Sequence, residues 1–142
     1  MGEIKLTINE IGFIATFQGL TKATAKDCII NDDNGVVFIV SSGQMGLAIG
    51  KSGKNIKNAS RILKKEVSVA EYSDDPVKFI KNVMYPIRPK SINIEGTDSR
   101  RIAKVSVDRK DRARVIGARG KNIHSLKNIV LRHHDLEDVI IA

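Results

Sequence analysis

The sequence predicts an α+β protein that consists of two tandem copies of one small domain, each with the element order α-β-β-α-α-β. The chain has 142 residues, which is enough for two small domains. Residues 49–56 and 116–123 align with identity at six of eight positions, and a repeat of this kind indicates a duplicated structural unit. Helix and strand signals recur in the same order around both segments, so we predict domains at 1–73 and 74–142.

The first copy opens with signals for a helix and a hairpin. Residues 7–10 read Thr-Ile-Asn-Glu, a capping box in which a hydroxyl and a carboxylate satisfy free backbone donors at a helix start. Gly19 is expected to end this helix. The apolar runs at 28–30 and 36–40 flank an Asp-Asp-Asn-Gly turn at 32–35, which predicts a β-hairpin.

The first copy closes with two helices and a strand. Ser42 is expected to cap a short helix that ends at Ile49. Glycines at 50 and 53 interrupt the helical pattern, and apolar residues at helical spacing predict a second helix over 56–63. Alternation of apolar and polar residues around Val67 predicts the closing strand.

The second copy repeats this order. Asp75 is predicted to cap a helix with Pro76 at its first position, where a missing N–H group costs nothing. Prolines at 86 and 89 end that helix. The remaining predicted elements are strands at 91–94 and 102–107, a short helix capped by Asp108 and ending at Ile116, a helix that buries Ile123, Leu126 and Val130, and a closing strand at 139–141.

Charge points to an acidic partner. The chain carries 24 basic and 16 acidic residues, a net charge of +8. Residues 1–74 hold 9 basic and 8 acidic residues, whereas residues 75–142 hold 15 and 8. An excess confined to one half favours a nucleic-acid partner whose phosphates face that half, although charge alone also fits a soluble protein that is merely basic.

Several classes of protein fit the sequence poorly. Cys28 is the single cysteine, so no internal disulfide can form. No run approaches the ~18 apolar residues of a membrane span, and the N-terminus lacks the apolar core of a signal peptide; we therefore expect a cytoplasmic protein without a membrane partner. Aromatic residues make up 4% of the chain, which argues against a platform that stacks bases on aromatic rings.

A Gly-x-x-Gly segment follows the short helix in each copy: the first loop, residues 50–53, and the second loop, residues 117–120. Glycines without side-chain bulk let a phosphate–sugar backbone approach the main chain. The helix after each loop would offer N–H groups and the positive end of its dipole to a phosphate. A single Gly-x-x-Gly is weak evidence, but both loops are preceded by Ile and followed by Lys-Asn-Ile.

With these flanking residues, segments 48–56 and 115–123 resemble the KH-domain signature, which clamps about four nucleotides of a single strand. The element order resembles the type II variant of that family, and two such copies over essentially the whole chain resemble the archaeal NusA-like proteins. The resemblance implies a single-stranded RNA-binding protein in transcription elongation and termination. It also implies RNA polymerase as a further partner, and we expect a monomer. A ribosomal or ribosome-assembly KH protein that binds rRNA is the alternative.

The resemblance also assigns RNA-binding residues. In the first copy they are Gly50, Lys51, Ser52, Gly53, Lys54 and Asn55; in the second they are Gly117, Ala118, Arg119, Gly120, Lys121 and Asn122. The two asparagines could contact RNA or serve only as structural caps. The loops differ in their middle residues, Lys-Ser in the first and Ala-Arg in the second, so equal affinity is not implied.

An enzymatic interpretation is weaker. Gly50-Lys51-Ser52 ends like a nucleotide-binding P-loop, but Met45 stands where that motif needs its first glycine, and the second loop has no lysine inside it. His133 and His134 fall at a predicted helix end, where cations suit the dipole. We therefore expect no catalytic residues, no cofactor and no metal.

Overall fold

The computed structural model describes residues 6–31, 34–97 and 100–142. Residues 32–33 of the predicted hairpin turn lie outside this set. Contacts along the chain divide it into two units, with the boundary between Tyr72 and Ser73. The part before this boundary is referred to below as the first unit and the part after it as the second unit.

Both units contain the predicted elements in the predicted order, which confirms the α+β fold class. The first unit contains α1 (Ile8–Thr21), β1 (Ala25–Ile30), β2 (Gly35–Val40), α2 (Met45–Ile49), α3 (Lys54–Leu63) and β3 (Glu66–Glu71). The second unit contains α4 (Pro76–Met84), β4 (Ser91–Thr97), β5 (Arg100–Ser106), α5 (Arg109–Ile116), α6 (Lys121–His133) and β6 (Asp138–Ile141).

Each unit has one three-stranded sheet with the same topology. β1 and β2 form an antiparallel hairpin, and β3 pairs parallel to β2, with Val36 opposite Val67. In the second unit β4 and β5 are antiparallel and β6 is parallel to β5, with Ala103 opposite Val139. Parallel neighbours need a long crossover connection. The two short helices and the loop between them supply that connection in both units.

Each unit has its own apolar core between helices and sheet. In the first core, Phe17 of α1 stacks on Phe38 of β2 with ring centroids 4.1 Å apart, and both side chains are buried. Ala59 of α3 is buried against the same cluster. In the second core, Ile80 of α4 and Val130 of α6 are buried with the sheet residues. The cores hold the helices that flank the two loops.

The caps show where the sequence rules succeed. Thr7 and Glu10 form the predicted capping box, with the Glu10 carboxylate accepting from Thr7 N–H at 2.8 Å. Asp75 caps α4 by accepting from Val77 N–H at 3.0 Å. Both predictions are confirmed because short polar side chains at these positions reach the orphan donors of the first turn.

Three boundary predictions are wrong in detail. α1 continues past Gly19 to Thr21, and the C-cap residue Lys22 supplies the left-handed turn with a φ of 67°. The residue that precedes α2 is Gln44 rather than Ser42, and no side-chain cap bond is made there. Asp108 precedes α5 as predicted, but its carboxylate pairs with Lys90 at 3.4 Å and makes no cap bond.

Candidate nucleic-acid interface

The two loops have the same backbone conformation. Gly50, directly after α2, has φ 75° and ψ 170°, and Gly117, directly after α5, has φ 77° and ψ 169°. The third loop residue is left-handed in both, with φ 56° at Ser52 and 57° at Arg119. The pattern Gly-x-x-Gly thus specifies one tight turn that each unit builds independently of the residues in its middle.

The asparagine after each loop fastens the turn. The Asn55 side-chain amide donates to the carbonyl oxygen of Leu47 at 2.7 Å. The Asn122 amide donates to the carbonyl oxygen of Arg114, also at 2.7 Å. Each bond joins the first turn of the following helix to the last turn of the preceding one. Both asparagines therefore have the structural role that was the alternative to RNA contact. The bond uses one donor of each side-chain amide and leaves its other polar groups for further contacts.

This bond requires a glycine at the start of the loop. A Cβ built on Gly50 would lie 2.7 Å from the Asn55 Cγ, and one built on Gly117 would lie 2.7 Å from the Asn122 Cγ. Contacts this short do not occur between unstrained atoms. The absence of a side chain at the first glycine of each loop thus leaves room for the asparagine side chain. At Gly53, by contrast, a Cβ would have its nearest neighbour at 3.8 Å.

The helix after each loop begins without a side-chain cap. Gly53 and Gly120 occupy the N-cap positions of α3 and α6, and neither helix has a side-chain cap hydrogen bond. The first turn of a helix presents N–H groups and partial positive charge. A phosphate oxygen is a suitable ligand for this end. No acidic residue occurs in the first turn of either helix.

Most of the residues assigned to RNA binding are accessible. The exposed ones are Lys51, Ser52, Lys54, Ala118, Arg119, Lys121 and Asn122. The four glycines and Asn55 are partly buried. In each unit the structure brings its six assigned residues together, since they are consecutive around one turn. The first loop and the second loop therefore each present an exposed cationic side chain, Lys51 and Arg119.

The helices before the loops differ in chemistry. α2 reads Met-Gly-Leu-Ala-Ile and has no charge, and its Leu47 is 47% exposed. α5 reads Arg-Lys-Asp-Arg-Ala-Arg-Val-Ile and is strongly basic. The sequence analysis did not identify α5 as a basic helix. The charge excess in residues 75–142 was the observation that could have pointed to it.

The histidines at the end of α6 have a packing role. His133 is 2% exposed, and its ring lies edge-on to Phe79 with centroids 5.4 Å apart. The His134 Nε2 lies 2.9 Å from the Ser73 carbonyl oxygen, and its ring centroid is 5.2 Å from that of Phe79. Burial lowers the pKa of His134, against the opposing effect of the Ser73 carbonyl. Desolvation thus favours the neutral form of His134, which works against the cation expected at a helix end.

Within 6–31, 34–97 and 100–142, no group of three or more His, Cys, Asp or Glu side chains is placed to hold a metal ion. The described helices also include none that is long and apolar enough to cross a membrane.

Family models match both halves of the chain. A KH-domain model matches residues 14–86, and a model of the NusA-like second KH domain matches residues 76–140. The first match runs past the contact boundary at Tyr72 into α4. α4 packs against α6 in the core of the second unit, beyond that boundary.

Two similar proteins carry the same name. A protein of Methanocaldococcus jannaschii, "Probable transcription termination protein NusA", is 37% identical over 94% of this chain and 72% of its own length. A Halobacterium salinarum protein with the same name is 32% identical over 96% of both chains. The crystal structure of APE1850 matches with a TM-score of 0.79 and 31% identity, over 96% of this chain and 100% of that one.

Proposed function

Since the chain belongs to the archaeal NusA-like family of tandem KH-domain transcription termination proteins, we propose that both of its glycine loops bind the RNA on which it acts. In this proposal each domain, 1–73 and 74–142, contributes one loop and the helix start that follows it. The twelve residues from Gly50 to Asn55 and from Gly117 to Asn122 form the contact sites.

One observation carries the proposal: a turn with the same φ and ψ values occurs twice, each time at an uncapped helix start. A single turn of this kind could be incidental. In both copies the turn leaves the first N–H groups of a helix beside an exposed lysine, Lys54 or Lys121. Backbone donors and a point charge at one place suit the phosphate–sugar backbone of a single strand.

The protein's wider setting follows from the same premise. We propose that it acts as a monomer in the cytoplasm, on nascent transcripts at RNA polymerase, and that it does so without a catalytic step. Aliphatic side chains beside the loops, such as Leu47, would contact bases without the aromatic stacking that other RNA-binding folds use.

Charge reversal in the loops tests the proposal. The variant replaces Lys51, Ser52, Ala118 and Arg119 with Asp. Carboxylates would then face phosphates at close range, and we expect affinity for a single-stranded oligoribonucleotide to fall by at least ~100-fold, since like charges in contact cost several kcal/mol. Folding should survive because all four positions are exposed and Asp tolerates the left-handed conformation at 52 and 119.

The control must lose the same charge elsewhere. Replacing three exposed lysines outside the loops with Asp, at 64, 78 and 81, changes the net charge by the same amount. We expect this control to bind RNA with much smaller loss. If the loop variant and the control lose affinity equally, the loops are not the binding sites.

Crosslinking in the native cell, followed by sequencing of bound RNA, tests the setting. Recovery of nascent transcripts supports a role at the polymerase. Recovery of mature ribosomal RNA instead supports the ribosomal alternative and contradicts the transcriptional setting.

A further inference from the structure

The outward surface of α5 is almost entirely cationic. At 100° per residue, the inward side of this helix is marked by Val115, which is 5% exposed. The opposite side centres on the small, exposed Ala113. Around it lie four exposed cations: Arg109, Lys110, Arg112 and Arg114. We call these four residues the α5 cluster.

Two residues of the α5 cluster lie where they weaken their own helix, whereas Arg114 lies in the last turn, where a cation is favourable. Arg109 and Lys110 lie in the first turn, at the positive end of the helix dipole, where cations are unfavourable. Arg109 and Arg112 are spaced i, i+3, and Lys110 and Arg114 are spaced i, i+4, so like charges face each other along the surface.

Nearby carboxylates do not offset this repulsion by pairing. Within the described parts of the chain, none of the four cations forms an ion pair. Asp108, at the start of α5, pairs with Lys90 instead. Asp111 is the single acidic residue of α5. Repulsion between these like charges destabilises the unbound protein. Binding of an anionic partner to this surface explains why it is cationic.

The α5 cluster is continuous with the second loop. α5 spans eight residues, or about 12 Å, and ends directly at Gly117. The bond from Asn122 to the Arg114 carbonyl oxygen fixes the last turn of α5 against α6. Arg114, in the last turn of α5, is therefore the cation of the α5 cluster that lies nearest along the chain to Arg119 and Lys121.

In the first unit, the described residues between the hairpin and the first loop form no such surface. Its short helix, α2, contains five residues and no charge, and Leu47 occupies the position that corresponds to Arg114. A strand at the first loop would meet an apolar helix there.

We propose that the α5 cluster binds phosphates of the RNA nucleotides next to those held by the second loop. The second domain thus has a longer and more electrostatic RNA path than the first. This inference rests on the proposed RNA-binding function and adds to it residues beyond the glycine loop.

The test uses the full chain and a matched pair of variants. R109Q/R112Q removes two cations of the α5 cluster. K78Q/K81Q removes two exposed cations at the same i, i+3 spacing from α4 of the same unit. The dissociation constant for a single-stranded oligoribonucleotide is measured from about 50 to 200 mM salt, and the midpoint of thermal unfolding is measured for each protein.

Each phosphate neutralised on a single strand adds about 0.7 to the slope of log K against log salt. R109Q/R112Q should therefore lower the slope by about 1.4. Over that fourfold range of salt, wild-type affinity should fall about sevenfold more than that of the variant. The thermal midpoint should stay the same or rise, because repulsion within α5 is relieved. K78Q/K81Q should keep the wild-type slope.

Equal slopes for R109Q/R112Q and K78Q/K81Q would overturn the inference, and so would a lowered thermal midpoint of R109Q/R112Q that accounts for its lost affinity. An unchanged RNA slope together with weaker co-purification of RNA polymerase would mean that the α5 cluster binds protein instead, which also overturns it. Failure of the proposed function has a different signature, because the loop variant described above would then lose no more affinity for RNA than its charge-matched control does.

Discussion

The two glycines of the first loop should respond very differently to replacement by alanine. Both have positive φ, 75° at Gly50 and 76° at Gly53. Gly53 has ψ 14°, in the left-handed helical region, and a Cβ there would have its nearest neighbour at 3.8 Å. Gly50 has ψ 170°, and its Cβ would lie 2.7 Å from the Asn55 Cγ and 2.9 Å from the Asn55 backbone nitrogen.

The magnitudes follow from these surroundings. For Gly53→Ala, left-handed strain costs roughly 1–2 kcal/mol, and the lower entropy of the unfolded chain returns about 0.4–1 kcal/mol. The net loss is about 1 kcal/mol. Gly50→Ala enters a region that is essentially restricted to glycine, at about 1–3 kcal/mol. It also displaces the Asn55 side chain from the Leu47 carbonyl, a hydrogen bond worth about 1 kcal/mol. The unfolded chain returns the same ~0.4–1 kcal/mol here, so the net loss is roughly 2.5 kcal/mol.

Urea unfolding of the full chain, followed by circular dichroism, measures the difference. Both positions lie in the first unit, so the two variants perturb the same core. We expect Gly50→Ala to lose about 1.5 kcal/mol more unfolding free energy than Gly53→Ala, and Gly117→Ala to exceed Gly120→Ala in the same way. Equal losses, or the reverse order, would refute the argument that the first glycine makes room for asparagine.

Three further predictions concern the fastening of the second loop and the packing of the two cores. Asn122→Ala should cost about 1 kcal/mol, the net value of one hydrogen bond, and should speed amide hydrogen exchange at the end of α5; unchanged exchange there would contradict a fastening role. Because burial lowers the folded-state pKa of His134, its contribution to stability is present above pH 6.5 and is lost as pH falls through that value toward the folded-state pKa. Thermal midpoints from pH 8 to 5 should drop less steeply for His134→Gln than for wild type. His124→Gln, at an exposed position, is the control. Parallel curves for His134→Gln and wild type would reject this prediction. Phe17→Ala removes a buried ring stacked on Phe38 and should cost about 3–5 kcal/mol in urea unfolding, whereas a loss below about 1 kcal/mol would mean that the first core does not depend on this pair.

Local rules predicted elements well where one side chain decides the outcome. The cap at Asp75 depends on a short carboxylate beside free N–H groups, so it could be read from the sequence. The end of α1 could not, because Gly19 was favoured by intrinsic preference while the turn is made three residues later by Lys22. Helix ends of this kind are set by how far the helix packs on the sheet, which is a tertiary property.

Some features of the candidate site could likewise be predicted from the sequence, and others could not. The repeated Gly-x-x-Gly with its Lys-Asn-Ile flank located both loops. The roles of Asn55 and Gly50 could not be separated in advance, because the bond to the Leu47 carbonyl joins two helices across the turn. The α5 cluster was visible only as a regional charge excess until the helix placed its four cations on one outward surface.

The acceptor of each asparagine bond is a main-chain carbonyl, that of Leu47 in one unit and of Arg114 in the other. The bond therefore places no demand on the side chain at that position. After a duplication, the geometry of the turn and the chemistry beside it can change separately, and the leucine in one copy and arginine in the other are an instance. The same independence makes the loop suitable for engineering. Exchange of α2 surface residues for those of α5 should transfer charge to the first loop without rebuilding its backbone.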